Sequence, residues 1–471
     1  MGATFRQYLA ATACTLSVAM MATSFNWMEP LMHYFISPDS EIPMSSTDTS
    51  WLLSFVELGE VLVTVPAGML ADRFGRKTLL LTTGPLCLLS WLLVLTTRNI
   101  IVLYVVRWIQ GAGVGIVYTI APMYIAEISE PRIRGELSGH FQTLWYVGIL
   151  YSFIAGHYLS YQNYAYACAA IPILFTACFY LMPESPYYDL MVERPKEAKT
   201  SLTWLRATKH VDEEFQSIQK SVEEDMKSKG GWRDLFATKK DTKSFFIVQI
   251  ICFIKYLNGI TAILAYATQT FSEASNGFLE DHELTIGLGV LLIVTTFGAA
   301  FISDSVGRRP LIIYSTLASV VCNIISGTYY FLNQQGYDVS AYSWVPFVSV
   351  TAFCTISNIG LGPLMQTIQA EYFPSHTRGI GSGITEISAS VSAFINLKQY
   401  QPVVDIAGVY MNFWIFALCG FLGTVFMYYV LPETAGKSLG QIQQDFEGKK
   451  KMDKEEKVEN SSKSEESSTY M

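Results

Sequence analysis

Residues 126–139, Ala-Glu-Ile-Ser-Glu-Pro-Arg-Ile-Arg-Gly-Glu-Leu-Ser-Gly, return 244 residues later at 370–383 with Ala, Glu, Arg, Gly, Ser and Gly at the same offsets. Asp72-Arg73-Phe74-Gly75-Arg76-Lys77 is echoed 232 residues on by Asp304-Ser305-Val306-Gly307-Arg308-Arg309, and Pro183-Glu184 by Pro432-Glu433. A chain written twice has to fold as two like halves, so whatever one half builds the other builds as well.

What each half builds follows from its apolar runs. A bilayer core about 30 Å thick needs roughly 20 apolar residues per helix. Runs of that length fall at 8–36, 50–70, 78–97, 101–127, 138–158, 163–182, 244–271, 284–303, 311–332, 343–370, 380–396 and 407–431. That is twelve, six on each side of the polar stretch 183–243. A soluble helical protein would need charged faces on these segments, and they carry almost none. The chain as a whole is 51% hydrophobic and only 15% charged, too few charges to cover a water-facing surface of this size. The expected fold is therefore an all-α membrane protein of two pseudo-symmetric six-helix bundles, 1–182 and 244–431, a plan shared by many secondary transporters. The first run follows Arg6 but continues into Trp27-Met28-Glu29-Pro30 without a small-residue cleavage site, so it reads as a spanning helix and not a leader.

Basic residues set the orientation, because cytoplasmic loops retain Lys and Arg. With the N-terminus inside, the inner loops hold 28 of the 32 and the outer loops only Arg98 and Lys398, leaving Arg107 and Lys255 within the membrane. Both termini are then cytoplasmic. The segment 183–243 alternates charge at helical spacing and reads as a cytoplasmic helical linker, with no sign of a catalytic domain. The tail 432–471 turns Lys-, Glu- and Ser-rich and is expected to be largely disordered. Its sequon at Asn460 would lie in the cytoplasm, unused. Net charge is −8, no basic patch points to nucleic acid, and all eight cysteines fall in apolar runs, which argues against disulfides or a metal site. Nothing resembles a nucleotide-binding loop, and no cofactor or enzymatic activity is implied.

The loops on the basic side place an acid at a helix end with arginines one or two turns away: Asp72 with Arg73 and Arg76, Glu127 with Arg134, Asp304 with Arg308, Glu371 with Arg378. Such pairs can join two bundles in one state and part in another. They can also simply anchor helix ends in the interface; matched spacing in both halves favours a gate.

Together, Asp72 to Lys77, Arg107, Pro122-Met123-Tyr124-Ile125-Ala126-Glu127 with Arg134-Gly135, Pro183-Glu184-Ser185-Pro186, Gly307-Arg308-Arg309 and Pro432-Glu433-Thr434-Ala435-Gly436-Lys437 resemble the sugar porter branch of the major facilitator superfamily, in particular its insect trehalose- and glucose-transporter-like members. The motifs occur in the family's order along almost the whole chain. The resemblance implies a multi-pass carrier in the plasma membrane, a central site, alternating access and a sugar substrate. It also adds Arg107 to the gating set.

Carried over residue by residue, the family's sugar site is kept only in part. Gln142, eight residues after Arg134, matches the fifth-helix glutamine. The seventh-helix Gln-Gln-Leu-Ser-Gly-Ile-Asn corresponds to Lys255-Tyr256-Leu257-Asn258-Gly259-Ile260-Thr261, the eighth-helix asparagine to Leu292, the tenth-helix glutamate and tryptophan to Asn358 and Gln366, and the eleventh-helix asparagine to Ala389. The expected substrate contacts are thus Gln142, Lys255, Tyr256, Asn258, Thr261, Asn358 and Gln366, since a buried hydroxyl of a sugar left unpaired costs on the order of 1–3 kcal/mol.

Lys255 departs most from the pattern. An ammonium at membrane depth wants an anion, either from the solute or from the protein. Glu57 and Glu60 on one face of the second span, Glu29 near the outer end of the first and Glu386 in the eleventh are the candidate partners. Either the pair holds helices together or it takes part in substrate or proton handling. The resulting reading is a carrier of a hexose- or trehalose-like sugar, facilitative or proton-coupled. The alternatives are a carrier of an organic anion, or a transporter-like sugar receptor.

Overall fold

The computed structural model describes residues 2–38, 40–130, 132–227, 231–272, 281–373 and 377–432. The tail from 433, with Asn460, and the loop acids Asp39, Glu273 and Glu280 lie outside them. All twelve expected spans are helical. In the first half they are α1 (Gly2–Asn26) continued by α2 (Met28–Ile36), α3 (Ser46–Phe74), α4 (Arg76–Thr96), α5 (Ile100–Ile128), α6 (Arg134–Tyr158) and α7 (Tyr161–Tyr180). Three shorter helices follow, α8 (Pro186–Met191), α9 (Pro195–Arg206) and α10 (Asp212–Lys227). The second half runs α11 (Lys239–Leu257), α12 (Ile260–Ala265), α13 (Ala267–Ser272), α14 (Asp281–Val306), α15 (Arg308–Gln334), α16 (Trp344–Ile359), α17 (Leu361–Tyr372), α18 (Arg378–Ala407) and α19 (Val409–Val430).

Among the described residues, eight helical stretches are long and apolar enough to cross a bilayer. The expected spans outside that set are α6, α14, α16 with α17, and α18. Two of them carry polar residues at membrane depth, such as Gln142 on α6 and Glu386 on α18. Another is split at Gly360, where the α16 and α17 ranges meet.

The duplication in sequence is a duplication in backbone. Gly75 (φ 101°, ψ 152°) joins α3 to α4, and Gly307 (φ 94°, ψ 156°) joins α14 to α15. Both sit in a region that residues with a Cβ avoid, which is why each echo keeps its glycine. Glycine also sets the spacing of α3 and α5: a Cβ on Gly111 would lie 1.8 Å from the Val56 carbonyl oxygen, and one on Gly59 2.2 Å from that of Trp108. The two backbones therefore touch, and this contact fixes where Glu57 and Glu60 stand.

The three short helices dock beneath the first half. The Arg206 guanidinium donates to Glu214 and to the Ile128 carbonyl (3.0 Å). Gln7 and Glu130 exchange two bonds of 2.9 Å, and Glu184 accepts from the Lys77 backbone N–H at the start of α4 (2.9 Å). Burial raises the Glu184 carboxyl above the usual range, opposed by the backbone N–H bonds of Lys77 and Ser185. This end of the molecule is called the linker end below, and the opposite one the far end.

Candidate functional site

At mid-depth, between the halves, lies a cavity of about 160 Å³. That is space for on the order of ten waters. Of the seven expected contacts, Gln142, Lys255, Tyr256, Thr261 and Asn358 line it. Glu57, Glu60 and Glu386 line it as well. Gln366 lies on α17, with its side chain outside the described residues.

Asn258 is a correction. It is buried but does not line the cavity; its side chain turns toward α15 and α19, where a Cβ on Gly420 would lie 2.7 Å from its Oδ1. The cause is the helix break. Asn258 follows the last residue of α11 and Gly259 (φ 98°) restarts the chain as α12, so the position matched through the family motif does not reach the cavity. The Asn323 side chain donates to the Asn258 carbonyl freed by this break (3.4 Å).

Asn358 ties three helices at the cavity wall. Its Oδ1 accepts from the Tyr146 hydroxyl (3.0 Å), and its Nδ2 donates to Thr296 Oγ1 (2.9 Å) and the Leu292 carbonyl (3.4 Å). Lys255 donates to the Gly362 carbonyl at 3.5 Å, just past the break between α16 and α17, and lies 5.3 Å from the Tyr256 ring centroid. A backbone carbonyl has two lone pairs, so the Gly362 carbonyl in the first turn of α17 can accept from a cation at this depth as well as from its own helix. Of the four candidate acids, Glu386 is the one whose charge acts on Lys255. Glu29 is not its partner. It sits at the far end, where its Oε1 accepts from the Thr268 backbone N–H of the other half (2.7 Å).

Sequence reasoning passed over much of the lining. Asn26, Tyr118, Trp145, Tyr146, Gln369 and Ser390 face the cavity, and Tyr118 packs edge-on against Phe141 and Trp145, each with centroids 5.0 Å apart. Gln369 sits two residues before the repeated Glu371, a neighbourhood that could have drawn attention; the aromatics look like any other apolar residue in a spanning run. Among the described residues, no three His, Cys, Asp or Glu side chains converge as metal ligands.

The loop motifs assemble differently from their sequence spacing. Arg76 is buried and gathers the network at the linker end: it pairs with Asp72 (3.1 Å) and Glu127 (3.2 Å), donates to the Ala71 carbonyl (3.0 Å) and lies over the Tyr188 ring. Glu127 also accepts from the Ser185 hydroxyl. Glu127 does not pair with Arg134, as the spacing suggested. Arg134 is exposed, with a 3.4 Å bond to the Ser129 carbonyl. Arg73 is exposed against Phe74. In the second half, Arg308 begins α15 as Arg76 begins α4, while the side chains of Asp304, Glu371 and Arg378 lie outside the described residues.

Arg107 does not join the network around Arg76. It is buried and donates to the carbonyls of Leu52 (2.9 Å), Ser24 (2.7 Å), Phe25 (3.1 Å) and Leu53 (3.5 Å), and to Gln110 (3.3 Å). All these partners are in the first half, so the guanidinium staples α1, α3 and α5 into one unit.

The halves meet across the far end. Besides Glu29 with Thr268, Ser50 and Lys398 exchange two bonds of 3.2 Å, Lys398 lies 4.5 Å from the Trp51 ring centroid, and Ser46 donates to Asp405 (3.4 Å). His157 and His282 stack there as well. A cavity lined from both halves and covered at one end by polar contacts between them is a geometry suited to holding a small solute.

The family model described as "Sugar (and other) transporter" matches residues 3–446. Facilitated trehalose transporter Tret1 of Apis mellifera ligustica is 29% identical over 446 residues, covering 94% of this chain and 88% of that one. The protein of the same name from Bombyx mori is 28% identical, covering 93% and 86%. Among solved structures, the inward open conformation of the xylose transporter XylE from E. coli superposes with a TM-score of 0.76 at 21% identity, covering 92% of this chain and 98% of that one. The proton:xylose symporter XylE bound to 6-bromo-6-deoxy-D-glucose does so with a TM-score of 0.74 at 20% identity, covering 94% and 99%.

Proposed function

Since this chain belongs to the sugar transporter family, we propose that it carries a hexose- or trehalose-like sugar across the plasma membrane by alternating access. The bundles 1–182 and 244–431 rock about the central cavity, with the linker 183–243, the tail and both termini in the cytoplasm, as the distribution of Lys and Arg supports. The observation that carries this reading is the cavity lining. Gln142, Tyr146, Thr261, Asn358 and Gln369 offer donors and acceptors from both halves, beside the faces of Tyr118 and Trp145. A sugar needs both, because its hydroxyls must be paired and its C–H faces pack on aromatic rings. The network of Asp72, Arg76 and Glu127, with Arg73 and Arg134 at its edge, is the first-half side of the inner gate, and Asp304, Arg308, Glu371 and Arg378 are its second-half counterparts. The three carboxyls against one ammonium in the cavity disfavour an organic anion as the solute.

The test is uptake of labelled glucose and trehalose into proteoliposomes holding the full chain. Gln142→Ala should raise KM about tenfold, the loss of one hydrogen bond at a polar site, with the variant still folded. Binding without flux would make the protein a receptor, and a normal KM would remove Gln142 from the site.

A further inference from the structure

The cavity is lined by three acids and one base, and the charges around it can be paired off. Glu386 and Lys255 both line the cavity, and Lys255 is the positive charge that acts on Glu386. Glu57 has Arg107 behind the wall as the positive charge acting on it. Glu60 is left over. Its carboxyl is in hydrogen-bonding reach of the Ser390 hydroxyl and of Glu57, and the nearest further charge is Glu386. None of these is positive. Tyr118, Tyr146, Tyr256 and Cys252 also face the cavity, and such groups are ordinarily neutral at pH 7. Among the described residues, the site therefore holds one carboxylate in excess, at a depth where an uncompensated charge is costly.

Glu57 and Glu60 stand three residues apart on one face of α3 and both line the cavity; a carboxylate only accepts hydrogen bonds, so a bond between the two requires one shared proton. That proton balances the excess until something else does. An ammonium group brought in by the solute would do so: it supplies one positive charge and up to three donors, and the shared proton leaves as it arrives. The hydroxyls of such a solute would find Gln142, Asn358 and Thr261 on the remaining wall.

We propose that the cavity takes a sugar bearing one protonated amine, with Glu60 as the counter-ion of that amine. The inference rests on the reading of the chain as a sugar carrier and names the chemical class of its solute. It makes Glu60 the residue that sets selectivity, ahead of Lys255, whose charge Glu386 already answers.

The experiment compares labelled glucosamine, glucose, N-acetylglucosamine and glucuronate in proteoliposomes of the full chain at pH 7. Glucosamine is expected to exceed both glucose and its neutral N-acetyl derivative in kcat/KM by about tenfold, a difference of about 1.4 kcal/mol, and glucuronate to be poorest. Glu60→Gln should bring the glucosamine-to-glucose ratio close to one, and Glu60→Asp, which keeps the charge, should retain the preference. A wild-type ratio of one or less, or a ratio that Glu60→Gln leaves unchanged, overturns the proposal. So does glucose uptake that an inward proton gradient accelerates with no preference for the amine, since protons would then fill the site. Absence of flux for all four solutes would refute the carrier reading itself.

Discussion

A guanidinium carries N–H donors on three nitrogens, and at Arg107 all three are engaged, reaching four backbone carbonyls and Gln110. Lysine at this position keeps the charge but has three donors at a single point, so it cannot span α1, α3 and α5. Arg107→Lys should destabilise the purified protein by about 2–4 kcal/mol, read as a lowered denaturation midpoint in detergent. Arg134→Ala, at an exposed position, should move it by less than about 0.5 kcal/mol. Equal shifts would contradict the staple. Asp189, on α8, gives a pH signature of its own. Burial, then the charges of Glu184 and Glu197, push its carboxyl up to about 6, against an opposing bond from the Ser201 hydroxyl. The folded chain then holds this proton more tightly than the unfolded chain does. The stability it contributes is full below about pH 4 and is lost as pH rises through about 6. Asp189→Asn should flatten that decline in hydrogen-exchange protection of α8 and α9; an unchanged slope would place its origin elsewhere.

At the scale of elements, the broken helices decide which side chains reach the cavity. Gly259 separates α11 from α12 with a backbone that disfavours any Cβ, and a Cβ there would lie 2.3 Å from Phe416 Cδ2. Gly259→Ala should reduce membrane-inserted protein and abolish uptake. Phe416→Leu in the same chain should restore insertion partly and not fully, because it removes the clash and leaves the positive φ. Full rescue would show the conformation to be unstrained. The same break shows how far the sequence could be read. The repeats foretold Gly75 and Gly307 in matching conformations, and the spacing of Glu57 and Glu60 foretold a shared face, because both properties are local. Gln142 was matched through the family resemblance, and the helix Arg134–Tyr158 carries it without a break to the cavity. Asn258 was misplaced because its direction depends on a break that no residue before it announces. The partner of Glu127 was missed for another reason: Arg76 is 51 residues away in the chain, and only the packing of α4 beside α5 brings the two together.

On the scale of the whole molecule, the two ends of the cavity are built unlike each other. The Arg76 network at the linker end is drawn from α3, α4, α5 and the start of α8, all on the first-half side, so its described contacts stiffen one bundle. The far end carries bonds between bundles, and one of them, from Thr268 N–H, ends on the buried Glu29. A hydrogen bond to a charged acceptor is worth about 1.5–3 kcal/mol, and an interaction present in one state of a two-state carrier shifts the population by its full value. Glu29→Ala should therefore raise the fraction of molecules open at the far end by about tenfold or more, whereas Glu29→Gln, which keeps an acceptor oxygen, should change it little. The measurement is labelling of Ala389→Cys on the cavity wall, in a Cys252→Ser background, by a membrane-impermeant maleimide applied from the far side. Labelling should be slow in the parent, fast with Ala at position 29 and slow again with Gln. If Ala and parent label at one rate, the closure depends on Lys398, Ser50 and the ring contacts around Trp51, and Glu29 only caps the start of α13.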